Sequence, residues 1–267
     1  MAQHVLITGA SQGTGKATAL KFATEGWDVT LAARQADRLQ AVAEQIEQMG
    51  QKAIALPTDV SNPEQVTALV EKSLATFGKI DALINNAGIC LTGPMVNTSL
   101  EDWHRIFDTN FWGYIHTIQA ALPAMLSAGT GSIINVGSIG GKMPMPNMTA
   151  YCASKYALTG MTETLRLELV SKGIHVGIVH PGIIDSDFLE RAMFRGSDDQ
   201  AVQSRQSQMD QALQSGIASQ PEDIAEAIWK AVQKEQNEAV VGVSAIATGL
   251  NRLFPALTQW ALSQGAS

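Results

Sequence analysis

The chain of 267 residues has few cysteines, no long apolar run and no cluster of cations. Its two cysteines, Cys90 and Cys152, have no metal-ligand spacing, so we expect two free thiols and no metal. No stretch reaches the ~18 consecutive apolar residues of a transmembrane helix. A net charge of −7, without a Lys/Arg stripe, argues against nucleic acid as a partner.

The sequence also shows no pattern of a signal sequence, a repeat, a low-complexity segment or an interdomain linker. The N-terminal residues lack the basic, apolar and small-residue regions of a secretory signal, so we expect a cytoplasmic protein with no membrane partner. Strands alternate with helices of a dozen or more residues throughout, and the apolar content of 45% is ample for a core. This pattern predicts an α/β fold, with one domain over residues 1–267 and a parallel sheet covered on both faces.

Tyr151 and Lys155 form the pair on which the functional prediction depends. On a helix they stand at i and i+4, on one face about a turn apart. A nearby ammonium would lower the pKa of a phenol from its usual ~10 and make it a usable proton donor. Ser138 follows the apolar strand at residues 133–136, where a hydroxyl could hold a carbonyl oxygen. A Tyr and a Lys at this spacing also occur as ordinary surface residues.

A glycine-rich turn lies between the first strand, His4 to Thr8, and the first helix. Glycines in such a turn let the backbone approach a cofactor, and the helix N-terminus offers N–H donors to a pyrophosphate. The G-x3-G-x-G spacing departs from the long-chain dinucleotide pattern, and a structural loop is the alternative. The predicted cofactor residues here are Gly9, Ser11, Gln12, Gly13, Thr14 and Gly15.

Arg34, at the end of the second strand, decides the predicted cofactor. An acidic residue at this position bonds the ribose 2′-OH of NAD, whereas a basic residue accommodates the 2′-phosphate of NADP. Because Arg34 can bind a phosphate bidentately and no carboxylate stands there, we favour NADP(H) over NAD(H). Gln12 supplies no second cation.

Later strand ends supply further candidates. Asp59 and Val60 could face the adenine, although Asp59 could equally be a turn residue. Small residues after the fourth strand would let a flat cofactor pass, although paired Asn residues also form ordinary turns. Asn110 sits among aromatic residues, where a buried amide must find partners. The remaining cofactor candidates are Asn86, Ala87, Gly88, Pro181, Gly182, Ile184 and Ser186.

Two segments are predicted to surround the substrate. The Met- and Pro-rich loop after Ser138 suits an adaptable apolar pocket wall, or packing against a neighbouring subunit. Residues 187–216 are charged and Gln-rich and indicate a mobile helical lid. An apolar tail at about 246–262, interrupted by Pro255, is predicted to dock on its own subunit or a neighbour. The candidate substrate residues are Gly140, Met145, Met148, Phe188 and Met193.

Taken together, these motifs resemble the short-chain dehydrogenase/reductase family over nearly the full length. The resemblance is carried by the turn from Thr8 to Gly15, Asp59, Asn85-Asn86-Ala87-Gly88, Asn110, Ser138, Tyr151-x3-Lys155 and Pro181-Gly182. It implies a doubly wound Rossmann fold with one mostly parallel, seven-stranded sheet. It also implies dimers or tetramers that pair through the helices around Asn110 and Tyr151.

The resemblance also implies a catalytic tetrad of Asn110, Ser138, Tyr151 and Lys155. Tyr151 would donate a proton to the carbonyl oxygen, Ser138 would hold that oxygen, and Lys155 would lower the pKa of Tyr151 and bond the nicotinamide ribose. Asn110 would kink its helix and hold a water that links Lys155 to solvent. Ser186 stands where the family commonly has Thr.

The predicted function is an NADPH-dependent reductase of a fairly apolar ketone or aldehyde. The alternatives within enzymes are a 3-oxoacyl reductase and a hydroxysteroid or other secondary-alcohol dehydrogenase. A non-catalytic NADP-binding redox sensor or scaffold is the alternative from another class, against which the intact Ser138, Tyr151 and Lys155 argue.

Overall fold

The computed structural model describes residues 2–184, 192–214 and 218–264. The strands are β1 His4–Thr8, β2 Asp28–Ala33, β3 Ala53–Pro57, β4 Ala82–Asn85, β5 Leu91–Thr92, β6 Gly131–Val136, β7 Ile174–His180, β8 Met193–Phe194 and β9 Glu238–Val240. The α-helices are α1 Gly13–Thr24, α2 Ala36–Gln48, α3 Pro63–Phe77, α4 Leu100–Phe107, α5 Gly113–Ala128, α6 Thr149–Leu169, α7 Asp199–Gln214, α8 Pro221–Gln233, α9 Ser244–Leu253 and α10 Pro255–Gln264.

Seven strands form one parallel sheet in the order β3-β2-β1-β4-β6-β7-β9. This confirms the predicted seven-stranded, doubly wound sheet. The strand order reverses between β1 and β4, which leaves a crevice at the carboxyl ends of these two strands, where such folds bind ligands. The two-residue strands β5 and β8 pair with each other outside the main sheet.

Apolar side chains cover both faces of the sheet, as the prediction requires. On one face the core includes Phe22 of α1, Leu39 of α2 and Ile228 of α8. On the other face it includes Leu69 of α3 and Ile118 of α5. The burial of β1 along its whole length follows from its central place, because helices lie over both of its faces.

The helix that carries Asn110 is interrupted by a wider turn. Ser99 and Asp102 form a capping box at the start of α4, and a π-helical turn from Asp108 to Trp112 separates α4 from α5. π-turns of this kind are rare and frequently mark functional sites. Asn110 lies inside the turn and is wholly buried.

A chain of four buried polar side chains connects α5 and α6, which lie on the same face of the sheet, through β4 and β6. The Thr117 hydroxyl on α5 donates to Asn85 Oδ1 at 2.6 Å, and Asn85 Nδ2 donates to Asn135 Oδ1 at 3.0 Å. Asn135 Nδ2 then donates to the Thr162 hydroxyl on α6 at 2.9 Å. All four side chains are fully buried, so each hydrogen bond spares a polar group from being buried without a partner. We call these four residues the polar ladder.

The predicted lid and tail are described in part. Residues 187–191 and 215–216 of the predicted lid lie outside the described residues, and the remainder contains β8 and α7. The predicted apolar tail forms α9 and α10, and Pro255 begins α10. Pro is well tolerated there because the first helical residue needs no intrahelical N–H bond.

Replacing Asn135 with Ala is expected to destabilise the fold by about 2–4 kcal/mol, because it leaves the buried Asn85 amide without its hydrogen-bond partner and creates a cavity. Urea unfolding of the variant measures this cost. Thr164→Ala is the matched control, since its exposed hydroxyl bonds only Gly160 O of the same helix. Equal stabilities of the two variants would contradict a structural role for the polar ladder.

Candidate active site

One cleft at the carboxyl ends of the central strands gathers most of the predicted site residues. The sequence-predicted residues that line it are Gly9, Ser11, Gln12, Gly13, Thr14, Gly15, Arg34, Asp59, Val60, Asn86, Ala87, Gly88, Ser138, Met145, Met148, Tyr151, Lys155, Pro181, Gly182 and Ile184. Asn110 and Gly140 lie directly behind this lining. Ser186 and Phe188 lie outside the described residues.

The glycine-rich turn is packed too closely for larger residues. Gly9 has φ +67°, and a Cβ on Gly15 would stand 2.1 Å from Gly9 O. Asn86 Nδ2 donates to Thr8 O at 3.0 Å, which ties the loop after β4 to the turn. The backbone at Gly9, Gly13 and Gly15 therefore lines the cleft without side chains, at the N-terminus of α1. This cradle fits a dinucleotide pyrophosphate, for which the N-terminal amides of α1 would supply donors.

Two arginines lie at the other end of the turn. Arg34 lines the cleft at the end of β2, as its position in the sequence predicts. The sequence analysis missed Arg38, whose guanidinium on the first turn of α2 donates a hydrogen bond to Gln12 Oε1. Its place in the first turn of the helix that begins two residues after Arg34 was the available signal. Gln12 is therefore a bridge that brings a second cation towards the cleft.

Asp59 lines the cleft and also closes a turn. Its Oδ1 accepts hydrogen bonds from the Ser61 amide at 3.0 Å and the Ser61 hydroxyl at 2.7 Å. Both interpretations of Asp59, as a cleft residue and as a turn residue, therefore describe the same side chain.

Asn110 holds the loop that follows β4. Its Oδ1 accepts from Ile89 N and its Nδ2 donates to Ile89 O, both at 2.9 Å. Nδ2 also lies 3.3 Å from the Ser154 hydroxyl on α6. A Cβ on Gly88 would lie 3.5 Å from Asn110 Oδ1 and 3.9 Å from Lys155 Nζ, so both side chains approach the same point of the cleft wall.

Ser138 and Tyr151 lie together on the cleft floor. Ser138 follows β6 and accepts a hydrogen bond from Gly140 N at 3.1 Å, while Tyr151 projects from the first turn of α6. Burial raises the pKa of Tyr151 well above its usual value, and a hydrogen bond with the Ser138 hydroxyl acts in the opposite direction. The Tyr151 phenol therefore stays protonated at neutral pH, which suits a proton donor.

Lys155 does not act on Tyr151 as the sequence analysis expected. Its Nζ donates to Val136 O at 2.9 Å and lies 5.4 Å from the centre of the Tyr114 ring. Burial lowers the pKa of Lys155 to about 7, so its amine is only partly protonated at neutral pH. The pKa of Tyr151 is therefore raised, and the expected lowering by Lys155 is not found. Burial has the largest effect on the pKa of both residues.

His180 is a second residue that the sequence analysis missed. It ends β7, directly before the noted Pro181-Gly182 pair, and it is fully buried. Its Nδ1 lies 2.9 Å from Ser138 O, and its Nε2 lies 3.4 Å from Glu238 Oε1. Burial lowers the pKa of His180 to about 4. A neutral imidazole therefore supports the backbone of Ser138 from the neighbouring strand.

The end of the cleft beside Tyr151 is apolar and rich in sulfur. Its walls include Ile89, Cys90, Ile139, Met145 and Met148. Both thiols are free and buried, and burial raises the pKa of Cys90 to about 12, so Cys90 acts as a small apolar residue.

Two of the predicted substrate residues lie elsewhere. A Cβ on Gly140 would stand 3.2 Å from Tyr151 Cε1 and 3.3 Å from Met145 Sδ, so Gly140 lies behind the tyrosine ring. Met193 pairs with Leu91 and packs on Ile106 and Ala150, away from the cleft. The pairing of β8 with β5 turns Met193 into this separate cluster.

Neither a metal cluster nor a membrane span is found in the described part of the chain. Within residues 2–184, 192–214 and 218–264, no three His, Cys, Asp or Glu side chains are grouped to hold a metal ion. Over the same residues, every helix is too short or too polar to cross a bilayer.

The buried amine of Lys155 predicts a pH-dependent stability. An unfolded lysine titrates near ~10.4, so between about pH 7 and that value the unfolded chain binds a proton that the folded chain does not. The stability of the wild type relative to Lys155→Met should therefore rise with pH across this window, by on the order of 1 kcal/mol per pH unit.

Urea unfolding of both proteins at pH 6, 7, 8 and 9 measures the slope. Lys72→Met, at an exposed position of α3, serves as the control and should give none. Parallel stability curves for the wild type and Lys155→Met would contradict the burial of an uncharged amine.

Comparison with known proteins identifies the family. Residues 3–194 match the family described as short chain dehydrogenase. Over 255 residues the chain is 34% identical to the ketoacyl reductase HetN of Nostoc sp., a match that covers 96% of this chain and 84% of HetN.

Solved structures agree with this assignment. A short chain dehydrogenase/reductase from Burkholderia phymatum in complex with NAD superimposes with a TM-score of 0.88 at 28% identity, covering 96% of this chain and 95% of that one. An alcohol dehydrogenase from the archaeon Thermococcus sibiricus, complexed with 5-hydroxy-NADP, gives a TM-score of 0.77 at 25% identity, covering 91% and 97%. The chain belongs to the short-chain dehydrogenase/reductase family and is an oxidoreductase that acts on CH–OH or C=O groups of a small molecule with a nicotinamide cofactor.

Proposed function

We propose that this protein is an NADPH-dependent reductase of a fairly apolar ketone or aldehyde. The observation that carries the proposal is the placement of a buried, protonated Tyr151 beside Ser138, in the same cleft as the glycine-rich turn. A proton donor, an oxygen-binding hydroxyl and a dinucleotide cradle are the parts that carbonyl reduction requires.

The preference for NADPH rests on the charges around the end of β2. Arg34 lines the cleft, and the bond from Arg38 to Gln12 brings a second guanidinium to the same end of the turn. Guanidinium groups bind phosphates bidentately, and no carboxylate occupies the tip of β2 to repel a 2′-phosphate. One similar structure is a complex with NAD and another a complex with 5-hydroxy-NADP, so these arginines are the basis for the choice.

A nicotinamide held in this cleft would supply the hydride for the carbonyl carbon. Tyr151 gives its phenolic proton to the carbonyl oxygen, and Ser138 holds that oxygen in place by a hydrogen bond. Burial keeps the Tyr151 phenol protonated before the reaction, and because a raised pKa also makes it a weaker acid, the proton would leave only as negative charge develops on the carbonyl oxygen. Lys155 would bond the nicotinamide ribose, and its lowered pKa lets it pass a proton near neutral pH.

The apolar wall beside Tyr151 supports an uncharged substrate. Ile89, Cys90, Ile139, Met145 and Met148 carry no charge, and thioethers adapt to varied apolar shapes. A 3-oxoacyl reductase is the second candidate, favoured by the relation to the ketoacyl reductase HetN. Parallel assays of an apolar ketone, a 3-oxoacyl thioester and a secondary alcohol, each with both cofactors, separate the two candidates and the dehydrogenase alternative.

Pairing into dimers or tetramers through α5 and α6 belongs to the same proposal. Their exposed apolar residues include Trp112 in the turn before α5, Tyr156 and Leu167 of α6, and Val170 directly after α6, at 44–77% exposure. Apolar positions on the outer faces of long helices are suited to helix–helix packing between copies.

Tyr151→Phe is expected to lower kcat by roughly 10²- to 10⁴-fold, because it removes the proton donor and little else. NADPH binding, measured by calorimetry, should stay close to the wild-type value. Tyr156→Phe is the matched control on the same helix, where the ring is 44% exposed, and should keep full activity. Near-normal turnover by Tyr151→Phe would defeat the proposed mechanism.

Arg34→Ala is expected to lower kcat/KM for NADPH by roughly 10- to 100-fold, since charge-assisted hydrogen bonds contribute about 1.5–3 kcal/mol. Arg38→Ala should shift the NADPH/NADH preference in the same direction by a smaller factor, because its guanidinium is held through Gln12. Rates with NADH should change little in either variant. Arg105→Ala, at an exposed position of α4, is the control. An unchanged NADPH/NADH ratio in Arg34→Ala would assign the cofactor preference elsewhere.

A further inference from the structure

The helix pair α9 and α10, which we call the C-terminal arm, has its polarity reversed. Its hydrogen bond to the rest of the domain is polar, with Asn251 Nδ2 donating to Lys142 O at 3.3 Å, and within the arm the Thr258 hydroxyl donates to Asn251 Oδ1 at 2.8 Å. Thr248 is only 7% exposed. A helix that packs on its own domain ordinarily buries its apolar stripe and exposes its polar face. The arm does the opposite.

The outward face of the arm is a large apolar surface. Its exposed side chains are Ile246 at 69%, Leu250 at 49%, Leu253 at 72%, Phe254 at 57%, Leu257 at 62% and Trp260 at 63%. From these fractions they present about 700 Å² of apolar surface, near the ~800 Å² that each partner buries in a standard protein interface. Monomeric proteins rarely expose a contiguous apolar patch of this size.

The arm's own domain leaves this face uncovered. A groove of about 840 Å³ lies between α9 and α6, lined by polar residues that include Thr159, Glu163 and Arg252. The groove keeps α9 away from the body of α6 on the inner side of the arm. Closing it would bury polar groups and would leave the outer apolar face as exposed as before.

Charge favours a protein partner over a lipid surface. Residues 244–267 contain one cation, Arg252, and no acidic residue, within a chain of net charge −7. Amphipathic helices that bind membranes carry several cations on the polar face, and a single cation contributes only about 1 kcal/mol at an anionic leaflet. By contrast, the exposed apolar side chains of two copies carry no charge, so no like-charge repulsion between these side chains opposes their contact.

We propose that the C-terminal arm packs against the arm of a second copy of this chain. Two arms related by a two-fold axis would lie face to face, with Leu250, Leu253 and Leu257 of each copy in the shared core. This interface is separate from any pairing through α5 and α6, and it gives the exposed face a partner with the same area and the same lack of charge.

Measuring the mass in solution by light scattering tests the proposal. The double variant Leu253→Glu/Leu257→Glu should halve the mass, from tetramer to dimer or from dimer to monomer, with kcat/KM unchanged because the arm lies outside the cleft. The control Val96→Glu/Leu100→Glu replaces two equally apolar side chains that are 89% and 78% exposed, and should leave the mass unchanged. A monomeric wild type, or a double variant of unchanged mass, overturns the proposal.

Cross-linking tests the arm-to-arm geometry. Because the native Cys90 and Cys152 are buried, Leu257→Cys introduces an accessible thiol, and a short bismaleimide should join two chains through it. Val96→Cys should give no such product.

Flotation with phosphatidylcholine vesicles, alone and with added phosphatidylserine, tests whether the apolar face of the arm binds lipid instead of a second copy. Arm-dependent binding to vesicles by a protein that does not cross-link would assign the surface to lipid and overturn the proposal.

Discussion

The polar ladder of Thr117, Asn85, Asn135 and Thr162 is the constraint on which the site depends. It crosses from α5, through the neighbouring strands β4 and β6, to α6. A slip of either helix by one residue would leave buried amides without partners, at a cost of about 1–3 kcal/mol for each group. The helices are therefore fixed in rotation as well as in distance. Apolar packing alone would tolerate small rotations that the hydrogen bonds forbid.

This fixed rotation decides where the reactive groups stand. Tyr151 and Lys155 begin the helix that Thr162 anchors, and Asn110 lies in the π-turn just before the helix that Thr117 anchors. The extra width of the π-turn brings the Asn110 amide level with Ile89, where it makes two backbone hydrogen bonds. Asn110 therefore holds the backbone after β4 close to the N-terminal end of α6, where Lys155 stands.

The parts of the site that could be predicted from the sequence are those set by local patterns. The glycine spacing, the i, i+4 pair and the strand-end residues specify positions along the chain, and the parallel sheet brings their strand ends together. Arg38 and His180 were missed because their roles depend on a partner far along the chain, Gln12 in one case and Ser138 in the other. Met193 was misplaced for the same reason, since its pairing with Leu91 spans about a hundred residues. The pKa of Tyr151 depends on burial, which spacing does not report.

The wall beside Tyr151 is joined to the surface of the protein by a second set of contacts. Cys90 precedes β5, β5 pairs with β8, and Arg195 directly after β8 forms a bidentate pair with Asp102 at 2.9 and 2.6 Å. The Arg195 guanidinium holds the pKa of Asp102 below its usual range, so the pair persists through mildly acidic conditions. Asp102 also caps α4, and a Cβ on Gly93 would collide with Arg195 at 2.5 Å. The cap of a surface helix is therefore connected through β8 and β5 to the apolar wall of the cleft at Cys90.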